Sequence, residues 1–309
     1  MNEKVMTKNI TILLLATISC ALWGSAPSCI KLGYELFQIQ AADTMNILLF
    51  AGCRFTIAGI LVILCCSLLQ RRMIKPKKSS WRAICTLALA QTVVQYLLYY
   101  IGAAHATGVK VSILSGSNAF FSVIIACLIF RQEKLTLNKF LGCLAGLAGM
   151  ILVNLQGSAE AFSLEMSFTG EGFILISAIS SALSAVLIRQ FSQKNDPVML
   201  SGYQFTLGGC ILILVAVSGG GELPVVTSKG LLMLLYLGFL SAVAYTLWSV
   251  LLQYNPVSKV TVYQCLMPIF GVVLSTIILG EGSIFSIMTL ISLALVSMGI
   301  WLVNFVKKQ

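Results

Sequence analysis

The sequence predicts an all-α integral membrane protein of ten transmembrane helices, arranged as two inverted five-helix repeats with both termini cytoplasmic. Three observations carry that expectation: an apolar composition with few charges, ten apolar stretches of spanning length, and short motifs that return about 150 residues later.

Of the 309 residues, 58% are hydrophobic and 10% are charged, where an ordinary soluble domain is about a quarter charged. The mean hydropathy of +0.96 is a membrane value, since a soluble fold of this size needs more polar surface to cover its core.

A spanning helix needs about 20 mainly apolar residues, because the hydrocarbon core is about 30 Å thick and each residue rises about 1.5 Å. Such stretches cover 10–30, 46–69, 82–102, 107–130, 138–156, 170–190, 199–218, 230–250, 257–280 and 283–305. The first follows Lys4 and Lys8 as a secretory signal would, and Thr17-Ile18-Ser19-Cys20 loosely resembles a lipoprotein cleavage box. A second apolar stretch follows directly, and cleavage would leave nine helices and break the repeat, so the segment is read as a retained helix. The ten cysteines form no CxxC and no Cys/His cluster. Neither a metal, a cofactor nor a disulfide framework is therefore expected, and packing is their reading.

The net charge of +10 raises nucleic acid as a partner, but its distribution points to topology instead. With the N-terminus inside, Lys4, Lys8, Arg71, Arg72, Lys75, Lys77, Lys78, Arg82, Arg131, Lys134, Lys139, Arg189, Lys194, Lys259, Lys307 and Lys308 fall on the cytoplasmic side. Only Lys31, Arg54, Lys110 and Lys229 fall on the outer side or in the outer half of a helix. Orientation follows the Lys/Arg bias of short loops, which places both termini inside. The basic loop from Arg71 to Arg82 suits anionic headgroups of the lipid bilayer, and no fold signature or aromatic interleaving suggests nucleic acid.

The run Arg54-Phe55-Thr56-Ile57-Ala58-Gly59 returns as Gln204-Phe205-Thr206-Leu207-Gly208-Gly209, and Gly149-Met-Ile-Leu-Val-Asn154 as Gly299-Ile-Trp-Leu-Val-Asn304. Glu133 matches Glu281 after one short gap. This divides the chain into repeats at 10–156 and 170–305. Five helices is an odd number, so equivalent helices cross in opposite directions. The flanks agree: Glu160, Glu165 and Glu171 follow the first ending, Lys307 and Lys308 the second.

These residues carry a resemblance to a family. Trp23-Gly24 with Lys31, Arg54-Phe55, Glu133 followed by Gly142, Gly146 and Gly149, and then Pro268, Glu281 and Gly299 resemble the EamA-type members of the drug/metabolite transporter superfamily, over about residues 10 to 305. The resemblance implies a ten-helix secondary carrier in a cell membrane, bacterial and cytoplasmic, exporting amino acids or related metabolites, with a small-molecule substrate and no enzymatic activity. A departure stands at Phe120, where the first repeat lacks the counterpart of Pro268.

Polar residues inside a bilayer are costly unless they face a cavity or another helix. Gln91, Gln95 and Tyr99 share one face at i, i+4, i+8 spacing, either lining a cavity or bonding between helices. Trp23, Ser115, Asn118, Tyr245, Trp248, Tyr263 and Gln264, with Ser181 and Ser184 on a serine line from Ser177, complete the candidate substrate site. Aromatic rings with a few polar tips suit an amphipathic metabolite. Trp81 and Trp301 read as interfacial anchors. Arg54 reads as a packing or snorkelling cation, with a charge contact to the substrate as its other reading. Lys31 is open between attracting an anionic substrate group and ending its helix in the headgroups. His105 reads as a solvated loop residue. Pro27 and Pro268 are candidate hinges. The Gly142-xxx-Gly146 pair packs helices within the monomer or joins a homodimer.

Other motifs fall away. Ser28-Cys29-Ile30-Lys31 matches S-x-x-K without its KTG or SDN partner, and Gly219-Gly220-Gly221 lacks the Lys-Ser/Thr of a phosphate loop. A lipid-linked or nucleotide-sugar carrier would need a more basic cavity, and an intramembrane enzyme would need a nucleophile and base.

Overall fold

A computed structural model describes residues 3–40, 42–106, 108–154, 167–279 and 287–304. Every regular element among them is helical. After a short turn at Glu3–Met6 come α1 (Asn9–Phe37), α2 (Thr44–Leu69) and α3 (Lys78–His105). Helix α4 is Gly108–Gly116 and Asn118–Ile124, running on as a π-helical turn at Ile125–Ile129, and α5 is Leu137–Asn154. Then follow α6 (Phe168–Ser192), α7 (Pro197–Ser218) and α8 (Ser228–Tyr254). Helix α9 joins Val257–Thr261, a 3-10 turn at Val262–Leu266 and Met267–Leu279; α10 is Ile287–Asn304. Among the described residues six helices, α1, α2, α3, α6, α7 and α8, are long and apolar enough to cross a membrane, and α4, α5 and α10 hold shorter apolar helices. Glu160, Glu165, Glu281, Lys307 and Lys308 lie outside the described residues.

Local chemistry sets the helix ends. Asp196 Oδ1 accepts from the amides of Val198 (2.7 Å) and Met199 (3.1 Å), with Pro197 in the first turn where its missing N–H costs nothing. Thr227 Oγ1 caps α8 at Gly230 N (3.0 Å). At α6, Ser167 Oγ accepts from Gly170 N while Glu171 reaches back to Ser167 N, 3.0 and 2.9 Å. Helix α7 ends at the glycine triplet, where Gly220 takes φ +81°, a conformation that excludes most side chains.

The exterior is apolar: Leu68, Leu214, Leu232 and Ile277 stand exposed on helix faces. Beneath them lie Arg54, Gln91, Gln204 and many serines, so polar groups are gathered inward. Exposed apolar helix faces over a polar interior are the arrangement a lipid solvent requires.

Close approaches recur at the spacing of the sequence repeat. In the α2–α7 contact, a Cβ added to Gly59 would lie 2.4 Å from Thr206 N and 2.5 Å from Gly202 O. One added to Gly209 would lie 2.5 Å from Thr56 N and 2.8 Å from Gly52 O. In the α5–α10 contact Gly149 faces Ser292 O, and Gly299 faces Gly142 O. Each pair is the other shifted by 150 residues. Gly142 and Gly146 are both used inside the chain, against Val303 and Cys265. Small residues let backbones approach where lipid supplies no hydrophobic drive.

Two elements depart from regular helices. Helix α3 contains a π-helical segment at Ala88–Val94, which inserts a residue and exposes carbonyls. Helix α6 answers them: Ser180 Oγ donates to Ala90 O and Ser177 Oγ to Gln95 O, both at 2.7 Å. Helix α9 is broken before Met267, which places Pro268 in the first turn of a new helical piece rather than inside an unbroken one. Helix α4 breaks at Ser117, three residues before Phe120, without a proline. Pro27 lies on an exposed face inside the continuous α1.

Candidate functional site

The candidate site is assembled where α1, α2, α3, α7 and α8 meet. Phe55 stacks on Phe205, its counterpart 150 residues later, with centroids 5.6 Å apart and planes at 14°. The hydroxyls of Tyr96 and Tyr245 are bonded to each other. They are counterparts 149 apart, the offset that one π-inserted residue in α3 produces. Arg54 Nε donates to Ser241 Oγ at 2.8 Å, while Gln204 Nε2 donates to Gln91 Oε1 at 2.9 Å. Shifting Arg54 and Ser241 by 150 in opposite senses gives Gln204 and Gln91.

An aromatic wall stands beside these pairs. The Trp23 ring meets Tyr245 edge-on at 4.9 Å and Trp248 at 5.0 Å. Tyr245 lies 4.7 Å from Phe205, and Tyr96 lies 4.4 Å from Phe55. The Arg54 guanidinium sits 5.3 Å from the centre of the Phe55 ring, within cation–π range. Tyr99 and Tyr100 pack on Tyr96 and on each other.

Several buried polar atoms among the described residues have no hydrogen-bond partner in the protein: Trp23 Nε1 and Gln95 Oε1 on α1 and α3, Ser115 Oγ on α4 and Gln264 Oε1 on α9 are among them. Buried polar atoms are normally satisfied, so orphans in a lined interior mark positions for water or a solute.

The other sequence candidates divide. Gln91 is buried and bonded to Gln204, an interhelical bond. The π segment breaks the regular phase on which the shared face of Gln91, Gln95 and Tyr99 was reasoned, and it is Tyr96 that meets Tyr245. Asn118 Nδ2 donates to Ser181 Oγ at 3.0 Å, linking α4 to α6. Ser184 is buried and donates to Ser180 O of its own helix. Tyr263 is buried in the 3-10 turn, with its carbonyl 3.2 Å from Cys20 Sγ. Lys31 is exposed, and α1 continues beyond it to Phe37, so it does not end the helix. Arg54, at 2% exposure, does not snorkel to a surface. His105 belongs to the last turn of α3, its Nδ1 2.8 Å from Ile101 O.

The sequence matches the EamA-like transporter family over residues 10–155 and 168–305. The chain belongs to that family. It is a multi-pass membrane protein, and family members and relatives carry transporter names. An uncharacterized transporter of Archaeoglobus fulgidus is 27% identical, over 87% of this chain and 89% of its own length. A chloroplastic WAT1-related protein of Arabidopsis thaliana is 24% identical over 92% of this chain and 67% of its own length. A crystal structure with 16% sequence identity superposes with a TM-score of 0.79, covering 96% of this chain and 97% of that one, a likeness of fold.

Outside the spanning segments, this EamA-like chain ties the loop between α4 and α5 to the start of α9. The Glu133 carboxylate accepts from Lys139 Nζ at 2.8 Å, from Ser258 N at 3.2 Å, and from Ser258 Oγ. Burial alone would raise the Glu133 pKa, but the bonds from Lys139 and Ser258 outweigh it and hold the carboxyl below its usual range.

Tyr34 was not among the sequence candidates, and neither were Tyr96 and Tyr100. The sequence run Tyr96-x-x-Tyr99-Tyr100 was a signal for them, hidden because a helical wheel drawn without the π insertion turns Tyr96 away.

Proposed function

We propose that this protein is a secondary carrier that moves a small amphipathic metabolite, an amino acid or related compound, across the cell membrane by alternating access, in the direction of export. Its ten helices form two inverted five-helix halves, residues 10–156 and 170–305, with both termini cytoplasmic. The observation that carries this reading is the self-pairing of repeat counterparts at the centre, Phe55 with Phe205 and Tyr96 with Tyr245. Residues that meet their own counterparts lie on the axis relating two halves, and the solute site of inverted-repeat carriers lies at the repeat interface.

A second pair of contacts gives the halves something to exchange. At one end Lys110 of α4 pairs with Glu171 of α6 at 2.9 Å. At offset 149, Lys259 of α9 donates to Asn9 at the start of α1 at 2.8 Å. In the inverted arrangement these contacts close opposite ends of the site, one by an ion pair and one by a neutral acceptor. Orphan atoms at Trp23, Gln95, Ser115 and Gln264 then serve as substrate contacts, with Tyr99, Tyr245 and Trp248 as walls and Pro268 as a hinge point.

The test is reconstitution. Liposomes holding purified protein should exchange internal for external amino acids, with saturation and without chemical change. Conversion of the solute would sink the carrier reading.

A further inference from the structure

The two bonds that mirror each other at the centre are not equal. Gln204 is neutral and satisfied at both ends of its amide: its nitrogen donates to Gln91, and its oxygen accepts from Thr92 Oγ1 at 3.0 Å. Arg54, in the equivalent place, is charged and 2% exposed, and only its Nε is committed, to Ser241. The Ser241 hydroxyl donates onward to Leu237 O at 2.9 Å, so it receives Nε–H with its lone pair and fixes that edge of the guanidinium. Among the described residues no carboxylate pairs with Arg54; the ion pairs there join Lys110 to Glu171 and Lys139 to Glu133.

A buried charge without a counterion is among the most costly arrangements a protein can hold. The structural duty of this position, bonding α2 to α8, is one that a glutamine performs for α7 and α3. The additional charge therefore needs a separate account. With Nε held by Ser241, the two terminal N–H₂ groups form the fork that meets two oxygens of one carboxylate end-on. The surroundings select further. The Phe55 ring flanks the guanidinium, Tyr96 packs on Phe55, and the rings of Tyr99 and Tyr100 and the Tyr245 hydroxyl in turn meet Tyr96. Trp23 Nε1 nearby is a further donor without an acceptor. One positive charge in an aromatic setting matches a single negative charge on an apolar body better than a phosphate dianion.

We infer that Arg54 is the counterion for a monocarboxylate group on the transported solute, so that this EamA-like carrier takes small organic acids or amino acids with an aromatic or aliphatic body. This rests on the carrier reading for the solute's passage, but not for its binding.

The experiment compares two nearly isosteric probes, 3-phenylpropanoate and 3-phenylpropanamide, by thermal stabilisation of the full-length purified protein. The carboxylate should bind at least about tenfold more tightly than the amide. In Arg54→Gln that preference should vanish, the ligand-free melting temperature holding or rising because an uncompensated charge has gone; Arg54→Lys should restore part of it. Equal binding of the two probes by the wild type, or a preference kept in Arg54→Gln, overturns the assignment. So does tighter binding of phenyl phosphate than of the carboxylate. If Arg54→Gln does not fold, the wild-type comparison decides alone. Liposome flux separates the two claims: carboxylate-selective binding without flux contradicts the carrier and keeps the anion site, while flux without carboxylate preference does the reverse.

Discussion

Glu133 offers the best-defined energetic test. Its carboxylate is 4% exposed and bonded to the Lys139 ammonium and to both donors of Ser258. Glu133→Gln keeps the shape and one acceptor for Ser258, but removes the charge opposite Lys139, which is itself 12% exposed. Losing a hydrogen bond to a charged group costs about 1.5–3 kcal/mol, and leaving the mostly buried ammonium with only Lys134 O as acceptor adds to it. The single variant should therefore lose about 2–4 kcal/mol. Lys139→Met added to it should recover part of the loss, since removing both partners leaves no stranded charge. The pH dependence has a definite sign. A carboxyl whose folded pKa is depressed contributes stability that is complete above its unfolded value, near about 4.3, and is lost as pH falls through the folded value. Melting in detergent, scanned from pH 7 to pH 3, should show a decline below about pH 4 that is shallower in Glu133→Gln. A single variant as stable as wild type, or no recovery in the double variant, would refute the reasoning.

Four further outcomes follow from the packing and the site. Gly59→Ala places a methyl within 2.5 Å of α7 backbone at Thr206 and Gly202; the overpacking cost of about 1–3 kcal/mol exceeds the gain of about 1 kcal/mol in helix propensity, so denaturation in detergent should show a net loss. Gln95→Ala and Gln264→Ala remove side-chain oxygens that have no partner in the protein, so melting should barely move while flux in liposomes falls. Trp248→Ala should instead lower stability by about 3–5 kcal/mol, because that ring is 2% exposed and packs on Trp23. Glu171→Gln breaks the pair with Lys110; labelling of a Gln95→Cys thiol by an impermeant maleimide from outside should rise, and unchanged labelling would remove this pair from any gating role.

The helical membrane class was legible because lipid imposes it on composition: the apolar stretches reappear as helices, six of them among the described residues long and apolar enough to cross a membrane. Helix ends were less legible. Phe37 and His105 lie beyond the expected ends because apolarity locates the hydrocarbon region, whereas capping and loop contacts locate the terminus. The candidate site was legible in its residue types and less so in its geometry. Trp23, Tyr245 and Trp248 were named from ring and polar character, and the structure brings them into contact. Tyr96 was missed because one π-inserted residue in α3 rotates everything after it by about 100°, which no periodicity in Ala88–Val94 announces. Arg54 was read first as packing or snorkelling, with a charge contact as the alternative, because cost scales price a charge by depth; its lack of a carboxylate partner among the described residues is a tertiary fact. Pro268 was read as a bend, whereas the neighbouring 3-10 turn makes it a helix start.

The central claim is that the site opens to one side of the membrane at a time. Counterflow in proteoliposomes tests it most directly: vesicles loaded with a mixed pool of amino acids and monocarboxylates are diluted into isotope-labelled solutes, and the exchange is read by mass spectrometry. An alternating-access carrier gives saturable uptake of at least one labelled solute, accelerated by the same solute inside. Uptake that rises linearly with concentration and ignores the internal pool would contradict it.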